Sequence, residues 1–323
     1  MAPSFDNETS LFNSVVRGGN GVKGIVDLGI SKVPQAYIQP PAEQINKKNA
    51  SKCEIPPIDL SKLDGPDHDE VTAHNSFGLP PERKAVYRKE VSPSPLVKYG
   101  TSFVPEKEKA LEWKDYISMA YTNDDEALQQ WPVECRDVAL QYLKTSHEKV
   151  RKLLEALLGN LGAELDDSKI DAFIGKKMVN MNFYPTCPNP ELTIGVGRHS
   201  DMGTLTILLQ DGIGGLYVKV PQDVNMEKKG EWVEIPPIPG ALVINIGDML
   251  QHRVRTTSTK PRVSIPIFTS PLPTQKIAPL PQVVEKDGAA RYREFLFSDY
   301  MNNFFGNAHE GKKSLEFAKT NSA

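Results

Sequence analysis

The chain has little cysteine and no long apolar run. Its 3 cysteines are widely spaced and form no C-x-x-C pair, so we expect neither a disulfide scaffold nor a cysteine zinc site. Each is better interpreted as a small buried hydrophobe than as a ligand. No apolar stretch approaches the roughly 20 residues that cross a bilayer, and residues 1–14 lack the pattern of a signal peptide. We therefore expect a cytoplasmic protein without a membrane partner.

The chain also lacks an excess of either charge. Lysine and arginine number 38 against 41 aspartates and glutamates, and the sequence pI is about 6.1. A nucleic-acid-binding domain would need a basic face, so we expect no nucleic-acid partner. The 323 residues suffice for one large domain with extensions or for two domains. We expect a monomer.

Hydrophobic periodicity divides the chain into a helical part and a strand-rich part. The apolar spacing predicts a long helix over 133–161, a short one over 167–174 and an aromatic-rich helix over 291–305. The glycine-rich stretch 16–25 is interpreted as a turn before a short helix, since no strand precedes it as a phosphate loop requires. Further strand starts are predicted at 54–59 and within 106–120. Strand patterns separated by turn signals cover 178–184, 192–196, 204–209, 216–220, 232–235, 241–246, 253–257 and 262–269. Many short strands at this spacing predict a sandwich or barrel.

Of the 6 histidines, His199 and His252 lie in strand-like stretches that suggest chemistry, and the other four are interpreted as ordinary surface or helix residues. Asp201 follows His199 by two residues in a strand-like stretch, and residues i and i+2 of a strand point to one side. His252 lies in a later strand. Two imidazoles and one carboxylate on one face of a metal are typical of non-haem iron enzymes. The alternative for His199 is a strand histidine beside a surface aspartate.

A second pair of residues predicts a carboxylate site. Arg262 and Ser264 share one face of a predicted strand, and an arginine binds a carboxylate through two parallel hydrogen bonds while a hydroxyl adds a third. The ligand that fits best is a small dicarboxylate held beside the metal. The phenol of Tyr184 is placed to donate to its other carboxylate.

Several segments carry a resemblance to a known family. They are 182–188 (NFYPTCP), 196–201 (VGRHSD), 208–216 (LLQDGIGGL), 243–248 (VINIGD), 252–254 (HRV) and 262–264 (RVS). Over nearly its whole length the chain resembles the plant 2-oxoglutarate- and Fe(II)-dependent dioxygenases. The resemblance implies a mixed α and β fold, a double-stranded β-helix (jelly roll) core flanked by helices. It also implies Fe(II), 2-oxoglutarate, O2 and ascorbate as cofactors.

The resemblance assigns roles and regions by motif. It implies iron ligands at His199, Asp201 and His252, and 2-oxoglutarate contacts from Asn182, Tyr184, Arg262 and Ser264. It divides the chain into a shortened N-terminal helical and mixed region at 1–172, the jelly-roll core at 173–275 and a C-terminal helical extension at 276–323.

Four other segments resemble the coumarin-forming branch of this family: 15–24, 96–103, 111–116 and 300–306. This implies an aromatic hydroxylase of coumarin and phenylpropanoid metabolism, with 8-hydroxylation of scopoletin to fraxetin as the expected reaction. Attack on a hydroxycinnamoyl-CoA such as feruloyl-CoA is the alternative. The branch implies substrate contacts from Phe268, by ring stacking, and from Tyr99. For Phe268 an ordinary core position is an equal alternative.

The chain departs from the family at two places. About a dozen residues, enough for a strand and its turn, are missing between Gln251 and His252. About thirty, a helix and a strand with their connections, are missing between residues 70 and 77. Loss of a strand exposes a sheet edge or forces new pairing, and a one-residue slip would turn His252 away from the metal. A further alternative is therefore a catalytically impaired paralogue or truncated isoform that only binds ligand.

Overall fold

The computed structural model describes residues 8–45, 51–52, 77, 80–88, 91–102, 105–106, 108–220, 230–306 and 313–320. The α-helices of these ranges are α1 Glu8–Phe12, α2 Gly21–Asp27, α3 Pro81–Ala85, α4 Asp124–Gln130, α5 Arg136–Asn160, α6 Asp167–Phe173, α7 Pro281–Asp287, α8 Phe297–Gly306 and α9 Lys313–Ala318. Within the described ranges, no helix combines the length and the hydrophobicity that a membrane crossing requires.

Most of the strands belong to two large sheets, and the last two form a small sheet of their own. The strands are β1 Ser51–Lys52, β2 Val97–Thr101, β3 Asp115–Tyr121, β4 Lys176–Tyr184, β5 Val196–His199, β6 Leu205–Gln210, β7 Leu216–Lys219, β8 Trp232–Ile235, β9 Leu242–Ile246, β10 His252–Val254, β11 Arg262–Ser270, β12 Lys276–Ile277 and β13 Phe295–Leu296. The larger sheet has the order β2-β3-β4-β11-β6-β9 and the smaller one β1-β8-β7-β10-β5. Strands β4 to β11 thus form a jelly roll, as the resemblance implied.

The side chains of β11 alternate between the two faces of the larger sheet, one packed against helices and the other directed toward the smaller sheet. Val263, Ile265 and Ile267 belong to the same buried cluster as Leu140 and Leu143 of α5. Burying one such side chain contributes about 1.5–3 kcal/mol. Successive strand residues point to opposite faces, so the even-numbered residues of β11 point toward the smaller sheet. We call this side of the larger sheet the inner face.

An apolar cluster closes one end of the space between the sheets. Tyr184 and Leu208 from the larger sheet meet Leu216 and Val254 from the smaller one. Gly195 also lies here, since a Cβ on it would stand 2.7 Å from the Tyr184 ring. A side chain at this position would displace the Tyr184 ring, so the close approach requires glycine.

The predicted elements correspond closely to the observed ones, with identifiable exceptions. The long helix and the short helix after it are confirmed as α5 and α6. The glycine-rich stretch 16–25 is a turn only in part, since residues 18–20 connect a π-helical turn that ends at Arg17 to α2, which begins at Gly21. The strand predicted at 192–196 was wrong in position, since β5 begins at Val196. The predicted C-terminal helix was too long, since β13 occupies its first part and α8 begins at Phe297. The strand start predicted at 54–59 lies outside the described residues.

The short connection before His252 does not remove a strand from the jelly roll. Strand β10 begins at His252 and pairs with both β5 and β7. The carbonyl oxygen of Gln251 accepts a hydrogen bond from the backbone N–H of Lys219 at 2.8 Å. Of the two expected consequences, an exposed edge or new pairing, the exposed edge does not occur here, because these few residues suffice to bring β10 between its two neighbours. The second predicted gap lies where the structure describes only Phe77.

The larger sheet extends beyond the jelly roll on one side. Strand β3 pairs with β4, and β2 pairs with β3, so two strands from before residue 173 continue the sheet of the predicted core. The three-part division of the chain at 172 and 275 stays a prediction.

Candidate metal and cosubstrate site

Three side chains from β5, the residues just after it and the neighbouring strand β10 converge at one end of the jelly roll. His199 ends β5, Asp201 follows it by two residues, and His252 begins β10 directly opposite His199. The Oδ1 atom of Asp201 lies 3.7 Å from Nε2 of His199 and 3.5 Å from Nε2 of His252. One ligand atom from each residue lies within 4.8 Å of the other two. The donor set and its spacing fit a single metal ion of the non-haem iron type.

Backbone carbonyls orient both imidazoles. Nδ1 of His199 donates to the carbonyl oxygen of Gly197 at 2.8 Å, and Nδ1 of His252 donates to that of Leu250 at 3.2 Å. A carbonyl oxygen only accepts, so each Nδ1 carries the proton and each Nε2 lone pair remains for a metal. The register slip considered from the sequence does not occur, because His252 points to the same place as His199.

The electrostatics keep two of these groups in the forms that bind metals. Burial, with the neighbouring His252, lowers the pKa of the His199 imidazole to about 4. Burial raises the pKa of the Asp201 carboxyl, but the two histidines and hydrogen bonds from Thr206 and Asn245 outweigh it, and the pKa stays below its usual value. His199 is therefore neutral and Asp201 ionised at neutral pH, as metal coordination requires.

The predicted carboxylate site lies on the inner face. Arg262 pairs with Tyr184 and Ser264 with Asn182 across β11 and β4, so all four side chains share one side of the sheet. The Arg262 guanidinium donates to Oε1 of Gln210 at 2.8 Å and to the carbonyl oxygen of Ile213 at 3.1 Å.

One donor of this arginine has no protein acceptor. The Nη1 atom of Arg262 is buried and has no hydrogen-bond partner among the described residues. The residue is only 1% exposed, so bulk water does not supply an acceptor. The Tyr184 hydroxyl lies 3.5 Å from Oγ of Ser264. A buried guanidinium donor without an acceptor is unfavourable. The site therefore fits a ligand carboxylate.

The structure separates the two residues predicted to contact substrate. Phe268 lies on the inner face, opposite Thr206 of β6, and is half-buried. Tyr99 is 3% exposed and belongs to the helical core on the other side of the sheet. Its predicted contact was wrong, because Tyr99 pairs with Ile117 whereas Gly100 pairs with Tyr116. Since paired residues share a face, Tyr116 rather than Tyr99 lies on the inner face.

Sequence reasoning missed a buried carboxylate that supports β5. Oε1 of Glu112 accepts the backbone N–H of Gly197 at 2.7 Å, and its Oε2 lies 3.0 Å from Nζ of Lys114. Both residues lie in the segment 111–116 that carries part of the resemblance, but nothing in the sequence marks their charges as buried. The pair anchors the strand that ends in His199.

Comparison with known proteins agrees with this geometry. Residues 175–271 match the model of the 2OG-Fe(II) oxygenase superfamily. The chain is 56% identical over 362 aligned positions to the scopoletin 8-hydroxylase of Arabidopsis thaliana, covering 99% of each. The chain belongs to the 2OG-Fe(II) oxygenase superfamily. This oxygenase uses iron and 2-oxoglutarate.

Other relatives share nearly the full length. Feruloyl CoA ortho-hydroxylase F6H1-1 of Ipomoea batatas is 42% identical, with 97% of this chain and 98% of the relative covered. The crystal structure of JOX2 in complex with 2OG, Fe and JA superposes with a TM-score of 0.71 at 28% identity, covering 93% of this chain and 97% of the other. The 362 positions aligned with the Arabidopsis enzyme exceed the 323 residues here, so that relative has residues without a counterpart in this oxygenase, as the predicted gaps require.

Proposed function

We propose that this oxygenase hydroxylates scopoletin at carbon 8 and so produces fraxetin. The observation that carries the proposal is the 56% identity to the Arabidopsis scopoletin 8-hydroxylase over 99% of the chain. The feruloyl-CoA hydroxylases are similar over the same length at 42%. The substrate is therefore proposed as a small aromatic molecule, scopoletin first and a hydroxycinnamoyl-CoA as the alternative.

In this proposal His199, Asp201 and His252 hold Fe(II). Their arrangement supports the role because three ligands on one face leave the remaining positions for cosubstrate and O2. Bound iron and 2-oxoglutarate supply the oxidising chemistry, with succinate and carbon dioxide as by-products. The protein contributes position and a dry pocket. The apolar cluster around Leu208 and Leu216 excludes water from one end of that pocket.

Arg262 and Ser264 hold the distal carboxylate of 2-oxoglutarate in the same proposal. The buried Nη1 of Arg262, without a partner in the described part of the chain, supplies a donor for one carboxylate oxygen. Tyr184 and Asn182 flank this contact on β4. The aromatic substrate stacks on Phe268, since a flat ring packs favourably against another ring. We also propose a cytoplasmic monomer.

The test offers both substrates to purified protein. The protein is incubated with Fe(II), ascorbate, 2-oxoglutarate and either scopoletin or feruloyl-CoA, and products are followed by mass spectrometry. We expect fraxetin and succinate in equal amounts. If only feruloyl-CoA gives a product, the proposed type of reaction stands and the proposed substrate changes to feruloyl-CoA. A folded protein that binds scopoletin but yields no product would favour the impaired paralogue, which the extra residues of the relative suggest.

A further inference from the structure

The carboxylate of Asp201 uses its two oxygens differently. Oδ1 points toward both imidazoles, at 3.7 Å and 3.5 Å. Oδ2 accepts a hydrogen bond from Nδ2 of Asn245 at 3.3 Å. Asn245 is 5% exposed and lies on β9 opposite Thr206, which also donates to this carboxylate. The side chain is thus held with one oxygen toward the metal position and one away from it.

The backbone of Asp201 is held from the turn that follows β9. The N–H of Asp248 donates to the carbonyl oxygen of Asp201 at 2.7 Å. The two segments also meet through glycines, since a Cβ on Gly247 would stand 1.9 Å from the carbonyl oxygen of Gly203. Only glycine at 247 permits this approach. Strand β9 and its turn therefore hold both the side chain and the main chain of Asp201.

Asp248 in turn is held by two hydroxyl groups. Its Oδ1 accepts from Oγ of Ser200 at 2.7 Å, and its Oδ2 accepts from the Tyr300 hydroxyl of α8. The residue is 4% exposed and has a φ of 56°, a left-handed conformation that is unfavourable for most residues with a Cβ. A strained, buried aspartate with two donors on its carboxylate indicates a fixed position.

We propose that Asn245 and Asp248 are positioning residues for Asp201, and that Tyr300 makes the C-terminal helix α8 part of the metal site. The proposal rests on the proposed role of Asp201 as an iron ligand. We call Asn245, Asp248, Ser200 and Tyr300 the Asp201 brace. It would keep Oδ1 directed at the metal position and Oδ2 turned toward Asn245, so that one carboxylate oxygen would be offered to the metal.

The Asp201 brace also explains how the short connection between β9 and β10 places His252 beside Asp201. The same turn that contacts Asp201 leads through Gln251 into β10. Fixing Asp248 to Ser200 therefore fixes the start of His252 relative to Asp201. Partners of this kind, which orient a metal ligand without touching the metal, typically change metal affinity 10- to 100-fold when replaced.

The test measures metal affinity instead of turnover. Apoprotein carrying Asn245→Ala, Asp248→Asn or Tyr300→Phe is titrated with Mn(II), and separately with Fe(II) and 2-oxoglutarate without oxygen, by calorimetry and visible absorption. We expect about 10- to 100-fold weaker metal binding in each variant. We also expect an altered charge-transfer band, which a merely structural role would leave unchanged. Tyr292→Phe, on an exposed tyrosine, and Asn302→Ala, on an exposed asparagine of α8, are the matched controls.

Two comparisons separate the possible failures. Asp201→Ala must weaken metal binding if the proposed ligand set is correct, and wild-type affinity in that variant would overturn the proposed site itself. If Asp201→Ala weakens binding but Asn245→Ala and Tyr300→Phe bind like wild type, the brace is refuted and the site stands. Melting of each apoprotein identifies unfolded variants. Should Asp248→Asn unfold, Asn245→Ala and the conservative Tyr300→Phe still decide the question.

Discussion

At the scale of single residues, the site depends on buried polar groups whose partners come from distant parts of the chain. Arg262 is 1% exposed and carries one donor without a partner among the described residues. Asp201 accepts a hydrogen bond from Asn245, which lies 44 residues further along the chain. Such groups are unfavourable without a ligand or a brace, so their burial indicates function more strongly than their residue types do.

Replacing Arg262 tests the cosubstrate end of the site. Arg262→Ala removes hydrogen bonds to a charged ligand, worth about 1.5–3 kcal/mol, so we expect the 2-oxoglutarate KM to rise roughly 10- to 100-fold while scopoletin binding changes little. Steady-state kinetics with varied 2-oxoglutarate measures this. Arg291→Ala, on an exposed arginine of the C-terminal region, is the control. An unchanged KM for 2-oxoglutarate in Arg262→Ala would show that Arg262 does not bind the cosubstrate.

Asp115 predicts a pH dependence of stability away from the metal. Its carboxylate is buried, and burial raises its pKa to about 6 against hydrogen bonds that lower it. The folded state thus holds this proton more tightly than the unfolded state, whose reference value is 3.8. The contribution of Asp115 to stability is fully present below that reference and is lost as pH rises through about 6, at about 1.4 kcal/mol per pKa unit.

Urea unfolding of wild type and Asp115→Asn across this pH range measures the effect. The wild-type free energy of unfolding should fall relative to that of the variant as pH rises. Contributions from other titrating groups cancel in the difference. A difference that stays constant across the range would contradict the raised pKa.

At the scale of elements, alternation along strands predicted most of the architecture and periodicity predicted the helices. The helix predicted at 133–161 is observed as α5 and the strand at 232–235 as β8. The face of a strand within a hairpin was not predictable. Tyr99 and Tyr116 both fit an aromatic lining, and the pairing of Gly100 with Tyr116 decides which one faces inward. Only the register, which no local pattern sets, distinguishes them.

The start of helix α2 offers an element-scale prediction. The carboxylate of Asp115 accepts hydrogen bonds from the backbone N–H groups of Val22 and Lys23, at 2.6 Å and 2.8 Å. Gly21, just before them, has a φ of +67°, and a Cβ added to it would lie 2.4 Å from Oδ1 of Asp115. Gly21→Ala should therefore destabilise the protein by more than the 1–2 kcal/mol of a left-handed alanine. Chemical denaturation measures the loss.

Gly29→Ala is the matched control for that substitution. Gly29 has a φ of +71° and nothing within 4 Å of an added Cβ, so it reports the backbone strain alone. The excess loss in Gly21→Ala over Gly29→Ala measures the contact with Asp115. Equal losses in the two variants would show that the contact adds nothing.

At the scale of the whole molecule, the jelly roll brings three ligands together although the chain is shorter than its relatives. The motifs predicted the iron ligands and the carboxylate site, and the structure brings those residues together. The brace could not be predicted from the sequence, because Ser200, Asp248 and Tyr300 meet only after both sheets and the C-terminal helix have folded. The few residues between β9 and β10 suffice because the turn at Asp248 is fixed against Asp201.

The measurement that tests the central claim most directly is an anaerobic titration of the apoprotein with Fe(II) in the presence of 2-oxoglutarate. Visible absorption reports the charge-transfer band that forms when both bind at one centre. We predict one iron per chain, a band that requires 2-oxoglutarate, and loss of tight binding in His252→Ala. Tight iron binding with the same band in His252→Ala, or no band in folded wild-type protein, would contradict a site built from His199, Asp201 and His252.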